Sequence, residues 1–177
     1  MDRIPQNLFQ LLKETAPLFH SPYHGLNHWK TVESNGLYLS EFSGADPVVV
    51  KYFAYFHDSR REDENRDIEH GDKAAAFIGE ISGLLPLSAR QILTLRLACL
   101  GHTRLSFPHQ LEGNFDGHFI NLKNLDQRTI GTCWDSDRLD LGRVGIVPSI
   151  KFLYTAEAKR IARENDFVVL ERKNGGL

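Results

Sequence analysis

The chain has 177 residues, 41% of them hydrophobic and 25% charged, with a formal net charge of −2. That length suits one domain with a sizeable core, and the near-neutral balance lacks the basic footprint of a nucleic-acid or anionic-membrane binder. Met1-Asp2-Arg3-Ile4-Pro5 has no apolar secretion core, no later run reaches the roughly 18 apolar residues of a membrane span, and Cys99 and Cys133 lack C-x-x-C spacing, so a cytoplasmic protein without a disulfide framework is expected.

Apolar positions recur at helical spacing through most of the sequence, which predicts an all-α domain over residues 1–177. A first helix is expected over residues 6–14, with Leu8, Phe9, Leu11 and Leu12 on its inner face, before Pro17 and Pro22 impose an irregular connection. A second runs from near Asn27 towards Phe42 and breaks at Ser43-Gly44. Asp46-Pro47 then supplies a capping carboxylate followed by proline at the first helical position. The third helix is apolar on nearly every side, as suits a helix surrounded by others. The charge run at residues 60–67 breaks this pattern and reads as a loop. Another helix passes through Lys73 and Ile78 to about Ser82, and a further one covers residues 89–100, ending near Gly101-His102. Residues 106–124 are the least regular section, either a flap over a site or a long surface loop; the frequent use of long ordered loops in function favours the flap. Helices resume over residues 125–141 and 156–164.

The apolar run Val48-Val49-Val50-Lys51-Tyr52-Phe53-Ala54-Tyr55-Phe56 closes on His57-Asp58. Charged groups at the end of such a run are costly to bury unless they find partners or coordinate a metal. With His28 upstream and Asp137 downstream, two imidazoles and two carboxylates can hold one divalent ion through nitrogen and oxygen. Neighbours on a helix project about 100° apart, so His57 and Asp58 reach one ion most easily where the helix end faces the site.

The order His28, His57-Asp58, Asp137 resembles that of the HD-domain metal-dependent phosphohydrolases. The words around it match as well: Tyr23-His24-Gly25-Leu26-Asn27-His28-Trp29 is similar to the family's first-histidine segment, and Asp135-Ser136-Asp137-Arg138-Leu139-Asp140 to its D-A-D-R-L-D segment. The motif-bearing core spans about residues 24–145. The resemblance implies a multi-helix bundle with the metal between helices, hydrolysis of phosphate esters, often nucleotides, and a ligand set of His28, His57, Asp58 and Asp137. It leaves Asp135 as an acceptor behind the ligands. The metal stays open among Mn, Fe, Co, Ni, Mg and Zn.

Two-metal members carry further histidines at places comparable to His70 and His102. The expectation here is one tightly held divalent ion, a second being an alternative, with His70 binding substrate and His102 protonating the leaving oxygen. Asp58 would orient or deprotonate the attacking water. His24 is a substrate contact or a packing residue, and Arg61 a phosphate clamp through its planar fork. Glu62-Asp63 is displaced by one residue from the Glu-Asp pair of guanosine-tetraphosphate hydrolases, so that substrate is not carried over. Arg138 and Arg143 read as framework residues. The leading function is hydrolysis of a nucleotide or other small phosphorylated metabolite. The alternatives are a di-iron oxygenase, which needs His70 and His102 as iron ligands, and a non-catalytic nucleotide-binding regulatory module.

Overall fold

Several of the main helices begin where a side chain satisfies free amides, and some of these caps also tie helices together. In the computed structural model, which describes residues 4–111, 113–115, 118–120, 125–167 and 169–170, the helices are α1 (Gln6–Thr15), α2 (Leu26–Ser43), α3 (Pro47–Phe56), α4 (His70–Glu80), α5 (Ala89–His102), α6 (Gln127–Arg138) and α7 (Ala156–Glu164). Asp46 accepts from the amides of Val48 and Val49 at the start of α3. Ser88 and Gln91 form a capping box on α5, and Gln91 Nε2 donates to Asp46 Oδ2 at 2.9 Å. Thr129 Oγ1 accepts from the Asp46 amide at 2.8 Å while Asp126 caps α6. One polar knot therefore gathers the N-terminal ends of α3, α5 and α6.

α3 lies at the centre because its sequence offers no polar face. Its residues from Val49 to Phe56 are all buried, and α2, α5 and α6 pack around it. Burying side chains such as Phe53 and Phe56 stabilises the fold by about 1.5–3 kcal/mol each. Trp134 of α6 fills the space beside α5 and donates its indole N–H to Ala98 O at 2.8 Å. A smaller cluster, including Leu39, Leu139, Leu153 and Ile161, attaches α7 to the outer side of α2.

The helices follow the apolar pattern closely. α2 ends at Gly44, whose φ of 70° needs the left-handed region that glycine enters without strain. α6 is shorter than residues 125–141, since Asp126 caps it at one end and Leu139 closes it at the other. A departure from an all-helical chain is a short hairpin in which β1 (Gly113–Phe115) pairs antiparallel with β2 (His118–Ile120). Residues 112, 116–117 and 121–124 lie outside the described residues, and much of the expected flap falls on them. Among the described residues no helix is long and apolar enough to cross a membrane.

Candidate metal centre

The end of the bundle opposite the polar knot brings together the C-terminal ends of α3, α5 and α6 and the beginnings of α2 and α4. His57 ends α3 and is fully buried. Its Nδ1 lies 3.2 Å from Phe53 O and 3.1 Å from Ala54 O. Carbonyls only accept, so the proton belongs on Nδ1 and Nε2 keeps its lone pair. Burial pushes the His57 imidazole down to about 3, despite the attraction of Asp58 and Asp137, so the ring stays neutral. On α2, His28 Nδ1 sits 2.7 Å from Asp140 Oδ2, which fixes the same tautomer. The two Nε2 atoms then face each other at 3.0 Å.

A second pair repeats this geometry. His70, at the start of α4, directs Nδ1 at Asp67 O, and His102, at the end of α5, directs Nδ1 at Cys99 O across 2.6 Å. Their Nε2 atoms face each other at 2.9 Å. The close approach depends on Gly71, where a Cβ would lie 2.5 Å from Cys99 O and 3.3 Å from the His102 ring. In both pairs the outer nitrogen is committed to a carbonyl or carboxylate, so the inner lone pairs converge. Two such lone pairs at hydrogen-bond distance repel unless a proton or a metal ion lies between them.

Asp58 joins the pairs. Its Oδ2 is 3.7 Å from Nε2 of both His28 and His57, while its Oδ1 is 2.9 Å from His70 Nε2 and 3.8 Å from His102 Nε2. Asp137 Oδ1 completes the first group at 3.3 Å from His28 Nε2. Within each of the sets His28, His57, Asp137 and Asp58, His70, His102, the donor atoms all lie within 4.8 Å of one another. Imidazole nitrogens and carboxylate oxygens of this kind suit a hard or borderline divalent ion.

The electrostatics keep the acids charged. Burial works to raise Asp58, but the surrounding His57, His102, His24 and His70 hold it well below the usual carboxylate range. Asp137 is likewise held low, against burial, by His28, His57 and Arg143. Burial lowers His28, yet the neighbouring Asp137 and Asp140 outweigh it and raise the ring above its ordinary value.

The structure thus brings His28, His57, Asp58 and Asp137 together, and adds His70 and His102 as a second set. His24 stands behind Asp58, with Nδ1 3.2 Å from Oδ2 and Nε2 3.8 Å from Glu64 Oε2. Its place is that of a positioning partner for the carboxylate. Arg61 has partners that its charge run does not announce. Its Nε donates to Asp63 O at 2.9 Å and one terminal nitrogen donates to Asn65 O, so its fork holds the 61–65 loop. The other terminal nitrogen faces Asp58 Oδ1 at 3.9 Å.

Asp135 also departs from expectation. It is fully buried and accepts from Tyr154 N, Thr155 N and Thr155 Oγ1 at 2.7–2.8 Å, away from the histidines. Burial raises its carboxyl to about 6 against those hydrogen bonds. Asp140 takes the supporting position instead, and the residue word that names Asp137 contains it. Arg138 is a framework residue, donating to Leu105 O at 2.6 Å and to Ser106 O at 3.0 Å. Arg143 spans Tyr23 O at 2.7 Å and Asp140 Oδ2 at 3.6 Å.

Replacing Asp140 by Ala removes the acceptor that orients His28. The expected result is a fall in metal affinity of about 10–100-fold, the usual scale for such supporting groups. Competition with a chromogenic chelator measures it, and an unchanged affinity would show that Asp140 has no part in holding the ring.

No family model matches the chain, and no curated protein matches it. Among solved structures it is similar to the crystal structure of a predicted HD superfamily hydrolase from an uncultured Thermotogales bacterium. The TM-score is 0.65 at 19% identity, over 97% of this chain and 91% of that one. The chain has the HD-domain fold, as the words around His28, His57-Asp58 and Asp137 suggest.

Proposed function

We propose that this protein is a metal-dependent phosphohydrolase that holds two divalent ions side by side and acts on a nucleotide or another small phosphorylated metabolite. The observation that carries the reading is the pair of facing imidazole couples, at 3.0 Å and 2.9 Å, with one oxygen of Asp58 turned to each. When bound, such ions acidify water, polarise a phosphoryl oxygen and offset the charge that develops on transfer.

The side chains divide the remaining work. Asp58 turns one oxygen to each couple, so it would help to hold and orient both ions. His102 shares its inner nitrogen with His70 and its outer one with Cys99 O, which suits a metal donor better than a proton donor to the leaving group. His70 moves from substrate contact to donor by the same argument. Arg143, beside Asp137 and Asp140, restrains the acidic rim of the first set. The free, buried thiols of Cys99 and Cys133, raised by burial, accord with a reducing cytoplasmic setting.

The approach of His70 to His102 also meets the condition for a di-iron oxygenase, so that reading stands second. Phosphate release from a panel of nucleotides and sugar phosphates, with each divalent metal added in turn, separates the two. Turnover of at least one phosphate ester is expected. Oxygen uptake by the iron-loaded form without phosphate release would favour the oxygenase. Nucleotide binding with neither reaction would return the protein to a regulatory module.

A further inference from the structure

A cavity of ≈ 250 Å³ opens beside His102, so this ring belongs both to the second donor set and to the cavity wall. The other walls come from different parts of the chain: Arg104 and Ser106 after α5, Leu141 after α6, and Ser149 and Phe152 before α7. Arg138 holds these parts in register. It donates to Ser106 O at 3.0 Å, to Leu105 O at 2.6 Å and to Phe152 O, so one guanidinium ties the two sides together. The cavity is therefore built into the fold.

Its surface is mixed. Leu141 and Phe152 supply apolar contact, and the Phe152 side is 51% exposed, a large area for an aromatic residue to leave uncovered. The Ser106 and Ser149 hydroxyls have no side-chain hydrogen-bond partner among the described residues. The cationic groups are already engaged: Arg104 pairs with Asp72, and Arg138 binds backbone carbonyls. No cation in the wall is spare for a second phosphate. The volume also falls below the roughly 300–1,000 Å³ of sites that take drug-sized ligands.

We infer that this cavity receives the organic part of the substrate and restricts it to a monoester whose alcohol is one compact, partly apolar ring bearing hydrogen-bonding groups. The inference rests on the phosphohydrolase reading. With the phosphoryl group against the Asp58 side of His102, the alcohol lies along Leu141 and Phe152, and its polar substituents meet Ser106 and Ser149. Long-chain esters and polyphosphorylated compounds do not fit this shape and charge.

The test uses the metal-loaded protein with p-nitrophenyl phosphate, a monoester of one compact ring. Leu141→Trp fills the cavity from its inner side, and Ser149→Trp from an exposed wall where a bulky residue does not threaten folding. Each is expected to raise KM by about tenfold or more with kcat changed by less than about twofold, the signature of lost binding shared by ground and transition states. The inhibition constant of inorganic phosphate, which has no alcohol to place, stays the same. An unchanged KM in both variants overturns the inference while leaving phosphohydrolase activity in place. Absence of both turnover and phosphate inhibition in the unaltered protein removes the phosphohydrolase reading, and the inference with it.

Discussion

Replacing Asp58 by Ala is expected to strip divalent metal from both donor sets and to cut turnover to below about a thousandth, the scale of losing the charge stabilisation around a transferring group. Among the described residues no other side chain offers an oxygen to both couples: Oδ2 faces His28 and His57, and Oδ1 faces His70 and His102. Without it, the second set keeps only two imidazoles, too few for a firm site. The fold itself should persist, because Arg61, the cation facing Asp58, keeps the carbonyls of Asp63 and Asn65 as partners. Helical content measured by circular dichroism should stay near that of the unaltered chain while metal stoichiometry collapses. Metal bound at full stoichiometry in this variant would mean that Asp58 is not the bridge.

Asp135 and Asp137, two residues apart, should fail in opposite ways. Asp135→Ala strands the buried donors of Tyr154 and Thr155, which link α6 to the start of α7. At about 1–3 kcal/mol for each donor left unsatisfied, the loss should reach roughly 3 kcal/mol or more. For a chain of this size that lowers Tm by about 10 °C. Metal binding should survive in the protein that remains folded. Asp137→Asn should do the reverse, since its Oδ1 stands 3.3 Å from His28 Nε2 and it supplies charge to the first set. Metal is lost there, while Tm of the metal-free chain barely moves. Metal loss from the Asp135 variant together with retention in the Asp137 variant would show that the ligand is the other carboxylate.

The contrast was partly legible in helical phase. About 100° per residue puts Asp135 some 200° away from Asp137, on the far face of the helix, whereas Asp140 follows the end of α6 in a turn that returns its amide to Asp137 O. The residue word alone gives no such direction, and so it suggested Asp135 as the support for the site. The helices themselves were plain from apolar spacing and from signals such as Asp46-Pro47 and Gly44, because these depend on neighbours along the chain. The second donor set was not. His70 and His102 meet only because Gly71 lets α4 press against Cys99 O of α5, a contact between elements that neither helix announces locally. The partners of Arg61 are hidden for a related reason. A charge run shows a guanidinium but not the loop carbonyls, Asp63 O and Asn65 O, that occupy its fork.

The proposed chemistry depends on two ions sharing Asp58. Anomalous diffraction from crystals of the Mn²⁺-loaded protein tests it most directly. Two strong peaks per chain are expected, about 3.5–4 Å apart as in other two-metal sites, one held by His28, His57 and Asp137, the other by His70 and His102, with Asp58 reaching both. A single peak at the first set, with His70 and His102 turned away from it, would contradict the account and return those histidines to the substrate.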